Sequence, residues 1–199
     1  MATYPPLLSR FGIAFLTVFL VCDSVFAQPN KKILEQTSFG AEGSVERPVK
    51  LPRSVIELLL EVDNGQLKSC LKEEPDISTH FEASRININV DAYPDLIVKA
   101  TSLCFRGAHV TAWWLFSNLG TKDGLDYNYE LIFSKSADGI DVLSAQTNGF
   151  RDLNVSNYSS AGAVQNQDIY KFDGTDYQSR VCSVMYDFNQ KPIRIRCHE

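Results

Sequence analysis

Histidine is scarce in this sequence, and several motifs that carry chemistry are absent. The three histidines have no ligand spacing, and no cysteine pair has the CxxC spacing of a zinc site. There is no GxSxG elbow for a nucleophilic serine and no glycine-rich loop for a phosphate. The sequence therefore assigns no catalytic residue.

Positive charge is also sparse. Lys and Arg number 19 against 24 acidic residues, and the net charge is −5. The basic residues are scattered, apart from the short stretch KPIRIRCH near the C-terminus. A surface that binds nucleic acid or an anionic membrane needs clustered Lys and Arg. We therefore expect neither partner.

Long apolar runs are confined to the N-terminus. Arg10 precedes an apolar run over residues 11–21, and the small residue Ala27 ends Val-Phe-Ala. This pattern predicts a signal peptide over residues 1–27, cleaved after Ala27, with a lipid anchor at Cys22 or an uncleaved tail as the alternatives. We expect a secreted or periplasmic protein with no membrane span in the mature chain.

The rest of the chain divides into two parts. Residues 28–50 are polar, with Gly and Pro but no periodicity, which predicts a flexible tail. Residues 51–199 have the length of a single domain. The four cysteines of the mature chain predict two disulfides, with three possible pairings. We favour Cys70–Cys104 and Cys182–Cys197, because each joins neighbouring segments.

Apolar periodicity predicts an α+β domain. A helix is expected between Leu51 and Pro75, broken near Asn64-Gly65, and packed on one side of a sheet. From Phe81 onward, short β-branched and aromatic runs alternate with turns, which indicates a mainly antiparallel meander of about eight strands. The stretch HVTAWWLFSN is apolar on both faces, as a central strand would be.

Carboxylates are common in the predicted turns. A pair of them could hydrolyse a glycoside if the two side chains approached within about 5–10 Å. The candidates are Asp91, Asp95, Asp126, Glu130, Asp138, Asp141 and Asp152. A secreted hydrolase using turn carboxylates is therefore an alternative function, although spacing along the chain does not show which of them meet.

The stretch ININVDAYPDLIV offers oxygen ligands at alternate positions. Asn87, Asn89, Asp91 and Asp95 could bind calcium, whereas Ala92 stands where a calcium loop has glycine. The alternative is a polar hairpin turn whose Asn and Asp side chains bond the backbone. That turn would lead Leu96, Ile97 and Val98 into the core.

This stretch resembles the acidic loop of FG-GAP and VCBS-type repeats, in which the loop precedes a strand like PDLIV. It occurs once here, whereas a propeller needs several blades. More widely, residues 52–182 resemble a group of small, uncharacterised exported bacterial proteins. That resemblance implies a compact secreted α+β domain and no established activity.

We expect an exported, disulfide-stapled binding protein. Its partner would be a protein or a cell-envelope polysaccharide. Aromatic residues in and beside the predicted turns are candidate contacts, because they supply rigid contact area at low entropic cost; these are Tyr127, Tyr129, Phe150 and Tyr158. The alternatives are the hydrolase and a calcium-dependent structural module, and no other cofactor is expected.

Overall fold

The computed structural model describes residues 35–62, 65–89, 91–106, 110–120, 128–158, 165–179, 183–186, 189 and 191–196. Several predictions fall outside these residues and stay predictions. They are the signal peptide with its cleavage after Ala27, residues 28–34 of the tail, Asn64, Asp126, Tyr127 and the pair Cys182–Cys197.

The described residues form two antiparallel sheets. The small sheet has the order β2-β3-β4-β5, and the large sheet has the order β1-β6-β7-β8-β10-β11, with β9 also paired to β8. The strands of the small sheet are β2 (Phe81–Ile86), β3 (Asp95–Ala100), β4 (Thr111–Asn118) and β5 (Tyr129–Ala137). Those of the large sheet are β1 (Ser38–Gly40), β6 (Gly139–Thr147), β7 (Phe150–Tyr158), β8 (Gln165–Phe172), β9 (Tyr177–Ser179), β10 (Ser183–Tyr186) and β11 (Pro192–Arg196).

The prediction of an α+β fold is wrong, because strands dominate the described chain. The helices α1 (Arg53–Val62) and α2 (Gln66–Glu73) are short, and a single 3₁₀ turn covers Ile77–Thr79. Gly65, which precedes α2, has a φ of 93°, a left-handed conformation that an α-helix does not contain. The predicted long helix is therefore two separate elements.

A single meander sheet is also wrong, because the chain changes sheets at Asp138. This one residue separates β5 of the small sheet from β6 of the large sheet. Its amide donates to the carbonyl of Ser156 in β7 over 2.9 Å, and its carbonyl accepts from the amide of Ala41 over 2.7 Å. These bonds direct the chain into the large sheet instead of back along β5.

Strands β3 and β4 of the small sheet are buried on both faces. Trp113 and Leu115 of β4 pack into a core shared with the large sheet. Trp114 and Phe116, which point the other way, pack into a second core with the helices. Every residue of β3 is buried. The prediction that HVTAWWLFSN forms a central strand is thus confirmed for its described part, and Leu96, Ile97 and Val98 lie in the core as expected.

The layers follow from these two cores. Val55, Leu59 and Leu67 of the helices cover one face of the small sheet. The large sheet covers the other face through alternate residues of its strands, among them Ile140, Val142, Leu153, Val155, Tyr170 and Phe172. The intervening residues of the large sheet point away from the core, and we call that side its outer face.

Residues 35–50, part of the stretch for which a flexible tail is predicted, contribute a strand and buried side chains to the fold. Strand β1 pairs with β6, and Phe39, Ala41 and Val45 are buried. The Phe39 ring meets Trp113 edge-on, with ring centroids 6.3 Å apart. The apolar residues are too few and too widely spaced to stand out in the sequence. They nevertheless close one edge of the core.

The predicted disulfide Cys70–Cys104 is confirmed, with the two Cα atoms 6.2 Å apart. It joins α2 to the segment that follows β3, and so ties the helical layer to the small sheet. Closing 34 residues of chain in the unfolded state is worth about 3–4 kcal/mol in the chain-entropy model. Within the described residues, no helix is long and apolar enough to cross a membrane.

We expect Phe39→Ala to lower the free energy of unfolding by about 3–5 kcal/mol, because it removes a fully packed ring from the core. The matched control is Glu42→Ala in the same segment, where the side chain is exposed and the change should stay within about 0.5 kcal/mol. Urea unfolding followed by tryptophan fluorescence measures both. Equal, negligible effects would show that the segment is a loose tail after all.

Candidate functional site

The predicted calcium stretch is a polar turn between β2 and β3. The two strands pair in register from Phe81↔Ala100 to Ile86↔Asp95, which confirms the hairpin. Within the turn, Asn89 Oδ1 accepts from the amide of Asp91 over 3.2 Å. Asp91 Oδ1 in turn accepts from the amide of Tyr93 over 2.7 Å. These side chains bond the backbone, as they do in many tight turns.

Among the four predicted calcium ligands, Asp95 differs from the others because it is fully buried. Its Oδ2 accepts from the amide of Ile88 over 3.0 Å, and its Oδ1 accepts from the amide of Asn118 over 2.8 Å. Burial raises the pKa of this carboxyl above its ordinary value, against the opposing effect of the two amides. The side chain joins the β2–β3 turn to the end of β4.

The fourth predicted ligand, Asn87, contributes its backbone to a different contact. Its amide donates to Glu35, and its carbonyl accepts from Arg151 Nη1 over 3.4 Å. Among the described residues, no group of three or more His, Cys, Asp or Glu side chains is placed to hold a metal ion. Calcium binding here stays a prediction.

The aspartates among the remaining described turn carboxylates each bond to neighbouring parts of the fold. Asp141 accepts from Ser38 Oγ over 2.6 Å and from Asn154 Nδ2 over 3.1 Å. Asp152 accepts from Thr147 Oγ1 over 2.7 Å and lies 3.8 Å from Lys171 Nζ. Asp138 accepts from the amide of Tyr158, and Glu130 is exposed on β5. Each of these aspartates stabilises the local fold through its oxygens.

The candidate aromatic contacts separate into core and surface residues. Tyr129 is buried with the helical layer. The ring of Phe150 stacks on Phe172 with centroids 3.9 Å apart, against the core between the sheets. Tyr158, by contrast, is 51% exposed. Of the described members of the set, Tyr158 is the one available to a ligand.

The strand register places a second tyrosine beside Tyr158. Tyr158 of β7 and Tyr186 of β10 both pair with Gln165 of β8, from its two sides. Directly opposed residues of antiparallel strands point to the same face. Because Leu153 and Val155 of β7 point into the core, Tyr158 and Tyr186 point to the outer face of the large sheet.

Polar side chains adjoin these rings. The next row of the outer face, two residues along each strand, contains Ser156, Gln167 and Val184. All three are partly exposed. Tyr158, Tyr186, Ser156 and Gln167 together form what we call the tyrosine face. Its aromatic rings and hydroxyl or amide groups can make stacking contacts and hydrogen bonds at the same time.

A groove between β5 and the β8–β9 hairpin also has aromatic side chains in its wall. It has a volume of about 350 Å³ and includes Phe133, Tyr170 and Tyr177 in its wall. The ring of Phe133 packs edge-on against the rings of Tyr170 and Tyr177, with centroids 5.4 and 5.9 Å apart. The Tyr177 hydroxyl donates to the carbonyl of Arg151, and burial raises the pKa of this phenol. The three rings are thus already used in core packing, and the Tyr177 hydroxyl in an internal hydrogen bond.

Tyr186 was missed by the sequence reasoning for a clear reason. It stands at the end of a short strand near other polar residues, and nothing in its neighbourhood marks it. Only the pairing of β8 with both β7 and β10 places it in one row with Tyr158. A prediction of which residues in YQSRVCSVMY pair with β8 would have identified Tyr186 as a neighbour of Tyr158.

We expect Asp95→Ala to lower the free energy of unfolding by about 2–6 kcal/mol, since two buried amides lose their acceptor at about 1–3 kcal/mol each. The loss should be the same with calcium and with a chelator. Asp91→Ala, an exposed carboxylate in the same turn, should cost less than about 1 kcal/mol. A wild-type melting temperature that rises with calcium, and a rise that Asp95→Ala abolishes, would instead support a calcium site.

Comparison with known proteins adds no relative. No protein-family model, no curated protein and no solved structure matches this chain.

Proposed function

We propose that this is an exported binding protein that recognises a polysaccharide through the tyrosine face. The observation that carries the proposal is the placement of Tyr158 and Tyr186 in one row on the outer face of the large sheet. An exposed ring on a regular strand is held in position by the sheet. A ligand therefore binds it with little loss of side-chain entropy.

The chemistry of the face fits a sugar. A pyranose ring has an apolar side of C–H groups, which stacks on an aromatic ring, and a rim of hydroxyl groups. Tyrosine offers both an apolar ring and a polar hydroxyl. The amide of Gln167 can donate and accept, and the hydroxyl of Ser156, which donates to the carbonyl of Gly139 over 3.4 Å, can accept from a sugar hydroxyl. The tyrosine face therefore offers stacking surfaces, hydrogen-bond donors and hydrogen-bond acceptors side by side.

The same surface suits a protein partner less well. A stable protein interface buries roughly 800 Å² on each partner around an apolar centre. The other large apolar side chains that are exposed among the described residues are Val62, Tyr93, Leu103 and Leu119. They lie on α1 and on the connections beside β3 and β4, not on the large sheet. On the described part of the outer face, the aliphatic side chains near the tyrosines are the partly exposed Ile169 and Val184, which alternate with polar Asn154, Ser156 and Gln167 instead of forming a continuous apolar centre.

Export and the alternative functions rest on separate grounds. The disulfide Cys70–Cys104 is compatible with an oxidising compartment outside the cytoplasm. A hydrolase would need two facing carboxylates, and the described aspartates bond the fold instead. A calcium-dependent module would need oxygens that the β2–β3 turn now directs at the backbone. We therefore place binding before catalysis.

Binding to a panel of insoluble polysaccharides, including purified peptidoglycan, cellulose and chitin, tests the proposal by co-sedimentation. We expect at least one to bind, and Tyr158→Ala and Tyr186→Ala each to weaken that binding at least about fivefold, since each removes a stacking contact of about 1 kcal/mol or more.

Tyr93→Ala is the matched control, because Tyr93 is 42% exposed and lies in the β2–β3 turn, away from the tyrosine face. Its affinity should equal that of the wild type. The proposal is wrong if no polysaccharide sediments the protein, or if the Tyr158→Ala/Tyr186→Ala double variant binds as the wild type does.

A further inference from the structure

We infer that the ligand of the tyrosine face is a linear, extended and uncharged polysaccharide that lies across the strands, with alternate sugar rings on Tyr158 and Tyr186. This inference rests on the proposed function. It adds the class of polysaccharide, its direction on the sheet and the smallest fragment that fills the site.

The spacing of the two rings follows from the sheet itself. Tyr158 and Tyr186 occupy equivalent positions on β7 and β10, and one strand, β8, lies between them. Neighbouring strands are about 4.8 Å apart, so the two backbone positions are separated by about 10 Å, perpendicular to the strands. A ligand that uses both rings must present two apolar surfaces at that spacing along a line.

An extended β-linked polysaccharide meets this requirement. In its ribbon form, each pyranose is turned by half a revolution relative to the next, so every second ring presents the same face to a surface. The repeat is a disaccharide, whose length is close to two strand spacings. One ring on Tyr158 and the next but one on Tyr186 would leave the middle sugar above β8. A helical polysaccharide curves away from a straight row of rings.

The polar side chains beside the tyrosines set the position of the polysaccharide along the direction of the strands. Ser156 and Gln167 lie two residues along their strands from the aromatic row, a distance of about 7 Å. Both lie on the same side of that row. They can therefore reach the hydroxyl groups along one rim of the ribbon, while its apolar faces rest on the rings.

The charges of the outer face favour an uncharged chain. On the described residues of β7, β8 and β10, the one basic side chain that points outward is Lys171, which lies 3.8 Å from Asp152. Further along the face, Asp141 is bonded to Ser38 and Asn154. Lys191, which adjoins Pro192 opposite Tyr186, is a single cation at the edge of the row, whereas the net charge of −5 would repel a polyanionic ligand.

Isothermal titration with soluble oligosaccharides of one to six units tests this inference. The probes are β-1,4-linked glucose and β-1,4-linked N-acetylglucosamine, with the helical α-1,4-linked glucose series as the comparison. We expect affinity to rise at least tenfold between two and three units in one of the extended series. The helical hexamer should bind at least tenfold more weakly than the extended hexamer.

The variants locate the two sugar positions. In Tyr186→Ala, the gain between two and three units should disappear, whereas binding of the disaccharide should persist on Tyr158. Tyr93→Ala should keep the full wild-type profile.

The possible failures point to different claims. Equal affinity for two and six units, or for the helical and the extended hexamer, would overturn the extended-chain geometry and leave polysaccharide binding in place. Tighter binding of the helical series would do the same. If no oligosaccharide binds and no insoluble polysaccharide sediments the protein, the proposed function fails as well.

Discussion

Strands β3 and β4 have almost no solvent-facing side, and the rest of the fold depends on this constraint. Antiparallel sheets often cover their core on one face only. Here the small sheet needs a cover on each face, because Trp113 and Leu115 point one way and Trp114 and Phe116 the other. The helices provide one cover and the large sheet provides the other. The small sheet is therefore the middle of three layers.

This arrangement decides where a ligand can bind. Both faces of β3 and β4 and the inner face of the large sheet are occupied by the two cores. The outer face of the large sheet is what remains as a regular, rigid and accessible surface. The proposed role of Tyr158 and Tyr186 follows from their position on it. The proposed binding site would thus lie on a sheet face that neither core covers.

Polar side chains in this protein mainly hold backbone segments together. Asp95 bonds two amides from different segments inside the protein, and Asp141 joins β1, β6 and β7 through Ser38 and Asn154. A buried amide without an acceptor costs about 1–3 kcal/mol, so these carboxylates are valuable where they are. That use explains why carboxylates that read as catalytic or calcium-binding candidates in the sequence serve the fold.

Much of the fold could be predicted from local pattern, and the errors arose where distant contacts decide. The two-sided apolar pattern around Trp113 and the hairpin that precedes Leu96 were both correct. The role of Phe39 in the core could not be predicted, because it depends on contact with Trp113, far along the chain. The single sheet was wrong because Asp138 resembles a turn residue, whereas its amide bonds to Ser156 of the large sheet. Tyr158 could be named as a contact, but Tyr186 could not, because its position depends on the register of β8 with two neighbours.

Native-state hydrogen exchange tests the central role of the middle layer most directly. The amides of β3 and β4 should exchange slowest, with an opening free energy equal to that of global unfolding, because no partial opening exposes a strand that is covered on both faces. Amides of β10 and β11, at the edge of the large sheet, should exchange faster. The account would be contradicted if β3 and β4 exchanged through a lower-energy opening while the large sheet kept the slowest amides.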